Sequence, residues 1–361
     1  MKSHLTPSTP LLHAMQADTP LAYYRHTSRK LLWLAAMLLV LVVSVVCDLG
    51  YGPLRLTPQQ VLQALLTPSE VSEQLRTVVW QLRLPTAFMA VFCGAALALA
   101  GAQMQTILDN PLASPFTLGL SAAASFGAAL AIALGVGVIP WLAAYLVPVN
   151  AFVMAMLSAF LIHLLSNRRG VNKETIVLFG LALSFVFQAL LAVVQFFSSD
   201  QAVASVVFWS LGSLTKSTWP KLALVAGSIA MTLPFFIWSA WRLTALRLGE
   251  TKAKSMGVPV ARLRFQVLMM VSFLAACSVA SVGTIGFIGL VAPHIARMLV
   301  GEDQRFFMPA SMLCGALVLS LASLLSRAIL PGAIFPIGIL TTLIGIPFFI
   351  ALVMDRKRAA W

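Results

Sequence analysis

The residues that could do chemistry in this chain are few and scattered. Its 361 residues hold 11 Asp or Glu, 5 His and 4 Cys against 24 Lys or Arg, for a net charge of +13. Catalysis needs a nucleophile beside a base, or carboxylates, imidazoles and thiolates at metal-ligand spacing. No HExxH, GxSxG or GxxxxGK[ST] string occurs, and GLSAA at 119–123 lacks the second glycine. His163 and His294 have no ligand-type residue four positions on, which leaves packing or interfacial roles. Cys47, Cys93, Cys277 and Cys314 lie far apart in apolar runs without a CxxC pair, and read as small buried hydrophobes. The sequence therefore implies no catalytic residue, no metal site, no cofactor and no P-loop.

The acids point the same way. Asp18, Asp48, Glu70, Glu73, Asp109, Glu174, Asp200, Glu250, Glu302, Asp303 and Asp355 all fall at or beyond the ends of apolar runs. A transporter driven by protons or sodium usually keeps an ionisable group near the membrane midplane. A carboxylate there costs about 2.5–3.5 kcal/mol on insertion scales. Without one, uphill transport must draw its energy from another polypeptide through a structured contact.

The elements that position these residues follow from composition. The chain is 60% hydrophobic and 10% charged, with a mean hydropathy of +0.94. Inside lipid every backbone N–H and C=O must be paired within the protein, which leaves helices or a closed barrel. The apolar runs are continuous rather than alternating, so an all-α polytopic membrane protein is expected. Ten spans are predicted near 31–47, 84–108, 114–134, 138–165, 175–197, 220–241, 265–283, 284–300, 307–330 and 334–354. The seventh and eighth should be short and broken, because Gly283, Gly286, Gly289 and Pro293 interrupt them. Residues 1–30 read as a mobile tail before a retained first span, since no small-residue cleavage site follows Arg25, Arg29 and Lys30. A single transmembrane domain over 31–355 and a short tail, 356–361, complete the expected organisation.

Charge sets the orientation. With the N-terminus cytoplasmic, 18 of the 24 Lys and Arg fall on the inner side. Arg55, Arg76, Arg83, Lys216, Lys221 and Arg327 remain outside. That asymmetry obeys the positive-inside rule and places both termini in the cytoplasm. The basic balance is topology, and no nucleic-acid partner is implied.

One inner segment stands out. ALRLGETKAKSMGVPVARLR, residues 245–264, holds five Lys or Arg and one Glu. It reads either as an ordinary basic loop or as a shaped element, because Gly249, Gly257 and Pro259 punctuate it as a helix cap and a stop would. Elsewhere Gly94, Ala98 and Ala102 form a small-residue stripe that lets helices approach closely in lipid.

Five collinear strings then carry a resemblance. QLRLPTAFMAVFCGAALALAGAQMQTILDNPLASPFTLGLSAAASFG, FWSLGSL, LGETKAKSMGVPV, GTIGFIGLVAPHIARMLVG and FPIGILTTLIGIPFFI occur in that order. Together they resemble permeases of the iron–siderophore, haem and vitamin B12 ABC importers, over residues 31 to 355. The resemblance implies a type II ABC importer permease fold in the cell's inner (plasma) membrane. Its implied partners are a cytoplasmic ABC ATPase dimer, a second permease subunit, identical or related, a periplasmic substrate-binding protein, and membrane lipid. It assigns ATPase coupling to Gly249, Glu250, Met256, Gly257, Val258 and Pro259. It assigns binding-protein docking to Arg83 and Arg327, for which snorkelling at a span end is the alternative. Thr86 stands where some members carry a further Arg, which leaves the docking site weaker or rearranged. Asn110 and Leu112, in the DNPLASP turn, would form a cytoplasmic gate. Ser184, Gln188 and Gln195 would either line the passage or hydrogen-bond a neighbouring helix. The implied activity is passage of an iron–siderophore complex, haem or cobalamin, with ATP hydrolysed by a separate subunit. An ion-coupled secondary transporter and an intramembrane hydrolase are the rivals; the first lacks its midplane carboxylate and the second its nucleophile–base pair.

Overall fold

The computed structural model describes residues 20–52, 54, 56–137, 145–166, 173–329 and 335–359. Arg55, Arg168, Arg169 and most of the N-terminal tail lie outside them. The described residues are mostly helical; seven helices are long and apolar enough to cross a membrane, and three more carry shorter apolar stretches. The seven are α1 (Pro20–Gly50), α4 (Leu84–Leu108), α6 (Leu146–Ser166), α7 (Lys173–Phe196), α9 (Trp219–Trp238), α12 (Val260–Val282) and α14 (Gln304–Ala328). The shorter three are α5 (Leu120–Leu134), α13 (Ile288–Val300) and α15 (Ile337–Ala359).

Five short helices decorate the ends. These are α2 (Pro58–Leu66), α3 (Glu73–Thr77), α8 (Asp200–Ser210), α10 (Ala240–Leu246) and α11 (Glu250–Ser255). The sequence reading anticipates none of α2, α3 and α8, because their apolar stretches are too short to compete with the spans. The expected first span, 31–47, falls within α1, whose apolar part is Thr27–Gly50; residues 20–30 of the expected tail extend that helix. The expectation of two broken spans holds for one. α12 is a full 23 residues, and the break is confined to 283–287.

The small residues explain the packing. Helix α4 is the hub, with 83% of its most apolar stretch buried. A Cβ on Gly94 would collide with the Gly315 backbone of α14, and one on Gly101 with the Gly289 backbone of α13. Two further helices therefore run backbone to backbone against α4. Ala98 lies against Gly315 in the same seam. Between lipid-soluble helices the hydrophobic effect gives no drive for association, so close van der Waals contact must supply it.

Two irregularities at the end opposite the basic segment have clear causes. Helices α3 and α4 are joined through a π-helical turn, Val78–Arg83, in which the Leu84 amide reaches back to the Val79 carbonyl. Pro85 has no amide to give to the preceding turn, and Thr86 Oγ1 donates to the Leu82 carbonyl at 2.6 Å instead. The 283–287 break is covered by another loop. The Ser213 amide donates to Val282 O at 2.8 Å, Gly338 N to Leu211 O at 3.0 Å, and Thr284 Oγ1 to Ser210 O. That loop takes the last carbonyl of α12 and is itself held by the Thr284 hydroxyl and the Gly338 amide, so protein covers the break.

The Gly101–Gly289 seam gives a direct test. Gly101→Ala is expected to cost about 1–3 kcal/mol through overpacking, read as a lower unfolding temperature in detergent. Gly227→Ala is the control, because nothing lies within 4 Å of its added methyl.

Candidate functional site

The 245–264 segment is a folded elbow rather than a loop. Gly249 adopts φ +102° and ψ 151°, a conformation open to glycine alone, and ends the turn after α10. Helix α11 then begins with Glu250 and carries Lys252 and Lys254 in its last turn, as the helix dipole favours. Gly257, at φ +81°, closes it. Its amide donates to Lys254 O at 3.0 Å, and the Val258 amide to Ala253 O at 3.0 Å. Those two bonds define a Schellman motif, whose apolar contact pairs the third-last helical residue with the second residue past the cap. Ala253 and Val258, the residues at those positions, are both buried. Pro259 caps α12, so residues 260–264 are that helix's first turn.

Glu250 locks the elbow shut. Its carboxylate meets Lys254 Nζ at 2.9 Å and Arg264 Nη2 of α12 at 3.0 Å. The hydrogen bonds from Lys254 and Arg264 hold its pKa below the usual glutamate value. On the outward face Leu248 and Met256 are exposed. The coupling residues thus divide: Val258 anchors the elbow, Gly249, Gly257 and Pro259 shape it, Glu250 braces it, and Met256 faces out.

The elbow is wired to the DNPLASP turn by polar groups that sequence reasoning did not single out. Arg247, just before Gly249, reaches Asp109 at 3.3 Å and pairs with Glu302. Arg297 of α13 contacts Glu302 at 3.2 Å and Gln105 Oε1 at 3.0 Å. Gln304 is wholly buried. It accepts from Gln103 and donates to Thr106 Oγ1, each at 3.0 Å, while its amide meets Thr244 Oγ1 at 3.4 Å. Helices α4, α10, α13 and α14 therefore share one polar cluster at the basic end. The available signal was GAQMQT: two Gln in a span are costly unless paired.

Asp109 caps α4 in a left-handed conformation, φ 49°. Asn110 follows, and its Oδ1 accepts the Leu112 amide at 2.9 Å, an Asx turn. Asn110 thus builds this turn, and Leu112, its companion in the expected gate, stands exposed on it. The three candidate lining residues diverge. Ser184 is half-buried against Gly119 and donates to Gly180 O at 2.9 Å, within its own helix. Gln188 lies exposed on α7, and Gln195 is half-buried.

Arg83 and Arg327 lie together at the far end of the bundle. Both side chains are largely buried and committed to the end of α1. Arg83 donates to the carbonyls of Leu49 and Leu54. Arg327 donates to the Asp48 and Tyr51 carbonyls at 3.2 and 3.5 Å and lies 3.5 Å from the Asp48 carboxylate. Asp48, 1% exposed, also accepts from Ser323 at 3.4 Å. A helix C-terminus leaves carbonyls without intrahelical partners, and here two guanidinium groups fill that need. In this geometry both guanidinium groups clamp the end of α1.

Two tests follow from the geometry. Arg327→Gln strands a buried carboxylate and is expected to lower stability by about 3 kcal/mol, measured by thermal unfolding. Arg327→Lys should restore part of the loss. The Glu250 brace has a depressed pKa, so its contribution is present above the unfolded value and fades as pH falls through the folded one. Protection factors of the α11 amides, taken relative to the intrinsic rate at each pH, should fall at acid pH in the wild type, with Glu250→Gln already low at neutral pH.

The comparisons with known proteins match this architecture over nearly the whole chain. The model of the FecCD transport family fits residues 39–355. The molybdate import system permease protein of Haemophilus influenzae is 36% identical, covering 90% of this chain and 96% of the relative. The Fe(3+)-citrate import system permease protein of Bacillus subtilis is 35% identical, covering 92% and 98%. A solved inward-facing structure, described as a metal-chelate type ABC transporter, superposes with a TM-score of 0.78 at 34% identity, covering 89% and 98%. The fold is that of a type II ABC importer permease, and such permeases are transporter subunits, not enzymes. A multi-pass membrane permease with ten apolar helices and a braced elbow at its basic end, this chain belongs to the FecCD transport family.

Proposed function

We propose that this chain is the membrane-spanning half of an ATP-driven importer that carries an iron–siderophore complex, or the related haem or cobalamin. Its basic end faces the cytoplasm, with both termini there, and a separate ATPase dimer docks on the elbow around α11. A second permease, identical or related, completes the passage, and a periplasmic binding protein delivers cargo to the far end. The iron-citrate relative supports the cargo class; the molybdate relative favours a second reading, an oxyanion cargo.

One observation carries the reading. The elbow is rigid within itself, exposed on its outer face, and joined through Arg247 to Asp109 beside the gate turn. A push on Met256 and Leu248 therefore moves α10 and α12 as a unit and reaches the DNPLASP turn through the ion pairs. The large open face of α7, of whose apolar stretch only 17% is buried, fits a second subunit across a shared passage. Gln188 on that face would meet the solute there.

The test is reconstitution. Permease, ATPase and binding protein in proteoliposomes are expected to take up a ferric siderophore only with ATP inside. Ala253→Pro breaks α11 and should abolish uptake while the chain still inserts and assembles. Uptake at the wild-type rate in that variant, or ATP-independent uptake by the permease alone, would overturn the proposal. Molybdate uptake instead of ferric chelate would decide for the second reading.

A further inference from the structure

A cation at the junction of α9 and α10 stands apart from the ion cluster. The Arg242 guanidinium lies 4.0 Å from the Trp238 ring centroid and 5.8 Å from that of Trp241. Both indoles are open outward, at 60% and 54% exposure. The ion pairs at this end engage Arg247, Lys254, Arg264, Arg297 and Arg305. Among the described residues no carboxylate pairs with Arg242. Indole rings settle at the headgroup level of a bilayer, so a cation held against two of them sits where lipid phosphates are. A guanidinium in cation–π contact keeps N–H groups that can meet phosphate oxygens in bidentate fashion.

We propose that Arg242, framed by Trp238 and Trp241, is a binding site for an anionic phospholipid headgroup. The site has a mechanical consequence. Arg242 belongs to the same seven-residue helix, α10, as Thr244, and α10 ends immediately before Arg247. Thr244 and Arg247 contact Gln304, Glu302 and Asp109. A lipid held on Arg242 therefore grips the helix that links the elbow to the gate turn, and membrane charge tunes coupling. Assigning the lipid to the inner leaflet rests on the orientation proposed above; binding itself does not.

Bromolipid quenching tests it on the assembled importer. The complex is placed in phosphatidylcholine vesicles containing brominated phosphatidylglycerol, or brominated phosphatidylcholine at the same fraction, in both leaflets. Tryptophan quenching is expected to be stronger with the anionic lipid. Arg242→Gln should reduce that preference about fivefold, as one cation near a membrane surface would. Arg242→Lys should retain part of it, which separates charge from misfolding. Trp238→Leu with Trp241→Leu should remove the preferential signal. Excess inorganic phosphate should leave quenching unchanged; its abolition would show a free-phosphate site and overturn the lipid. Equal quenching by the two headgroups in the wild type, or an unchanged preference in Arg242→Gln, would also overturn it. The readout needs no cargo and no ATP, so its failure leaves the permease reading standing.

Discussion

Everything in this molecule answers to one constraint: at membrane depth no water is present to take an unpaired backbone or side-chain polar group. The hub helix meets it with apolar and small residues, drawing α13 and α14 into backbone contact through Gly289 and Gly315. At two departures from regular helix another segment covers the backbone. Residues 210–213 close over the 283–287 break through Val282 O and the Thr284 hydroxyl. The end of α1 is paired by Arg83 and Arg327.

The same constraint explains what the sequence showed and what it hid. Span count is legible because an apolar run of about 20 residues has few alternatives. The elbow is legible because Gly249, Gly257 and Pro259 each have a local backbone role that needs no partner. Sidedness is legible only as an expectation, since it rests on counting charges. The internal contacts of the two outer arginines were hidden for the opposite reason. A charge at a span end reads as facing water, yet residues far away in sequence decide whether it does. Arg83 is buried by the return of residues 49–54, and Arg327 by Asp48, roughly 280 positions earlier. The polar cluster around Gln304 was hidden likewise: Gln103 and Gln304 are 201 residues apart.

The clamp at the far end and the cluster at the basic end serve different purposes, and their burial separates them. Asp48 is sealed, so removing its partner leaves an uncompensated charge in a dry site. That makes the clamp a structural element. Asp109 and Glu302 are about half exposed, at 50% and 44% of their side-chain surface. Water screens them, and partly exposed pairs contribute about 0–1 kcal/mol each.

Weak individual bonds suit a switching joint. Moving a two-state equilibrium from one extreme to the other takes about 5.5 kcal/mol. Arg247 to Asp109 and Glu302, Arg297 to Glu302 and Gln105, and Gln304 to Thr244 are five such contacts between separate elements. At roughly 1 kcal/mol each, their sum is comparable to that figure. The bonds inside the elbow are of another kind, because the Schellman closure and the Glu250 brace connect only its own residues and the first turn of α12. A load on Met256 meets a stiff piece first and a breakable set of contacts second. The glycine seams of α4 lie beyond both, where even an added methyl would meet backbone. Any rearrangement that spares those seams falls on the contacts between α10, residues 109–112 and the ends of α13 and α14.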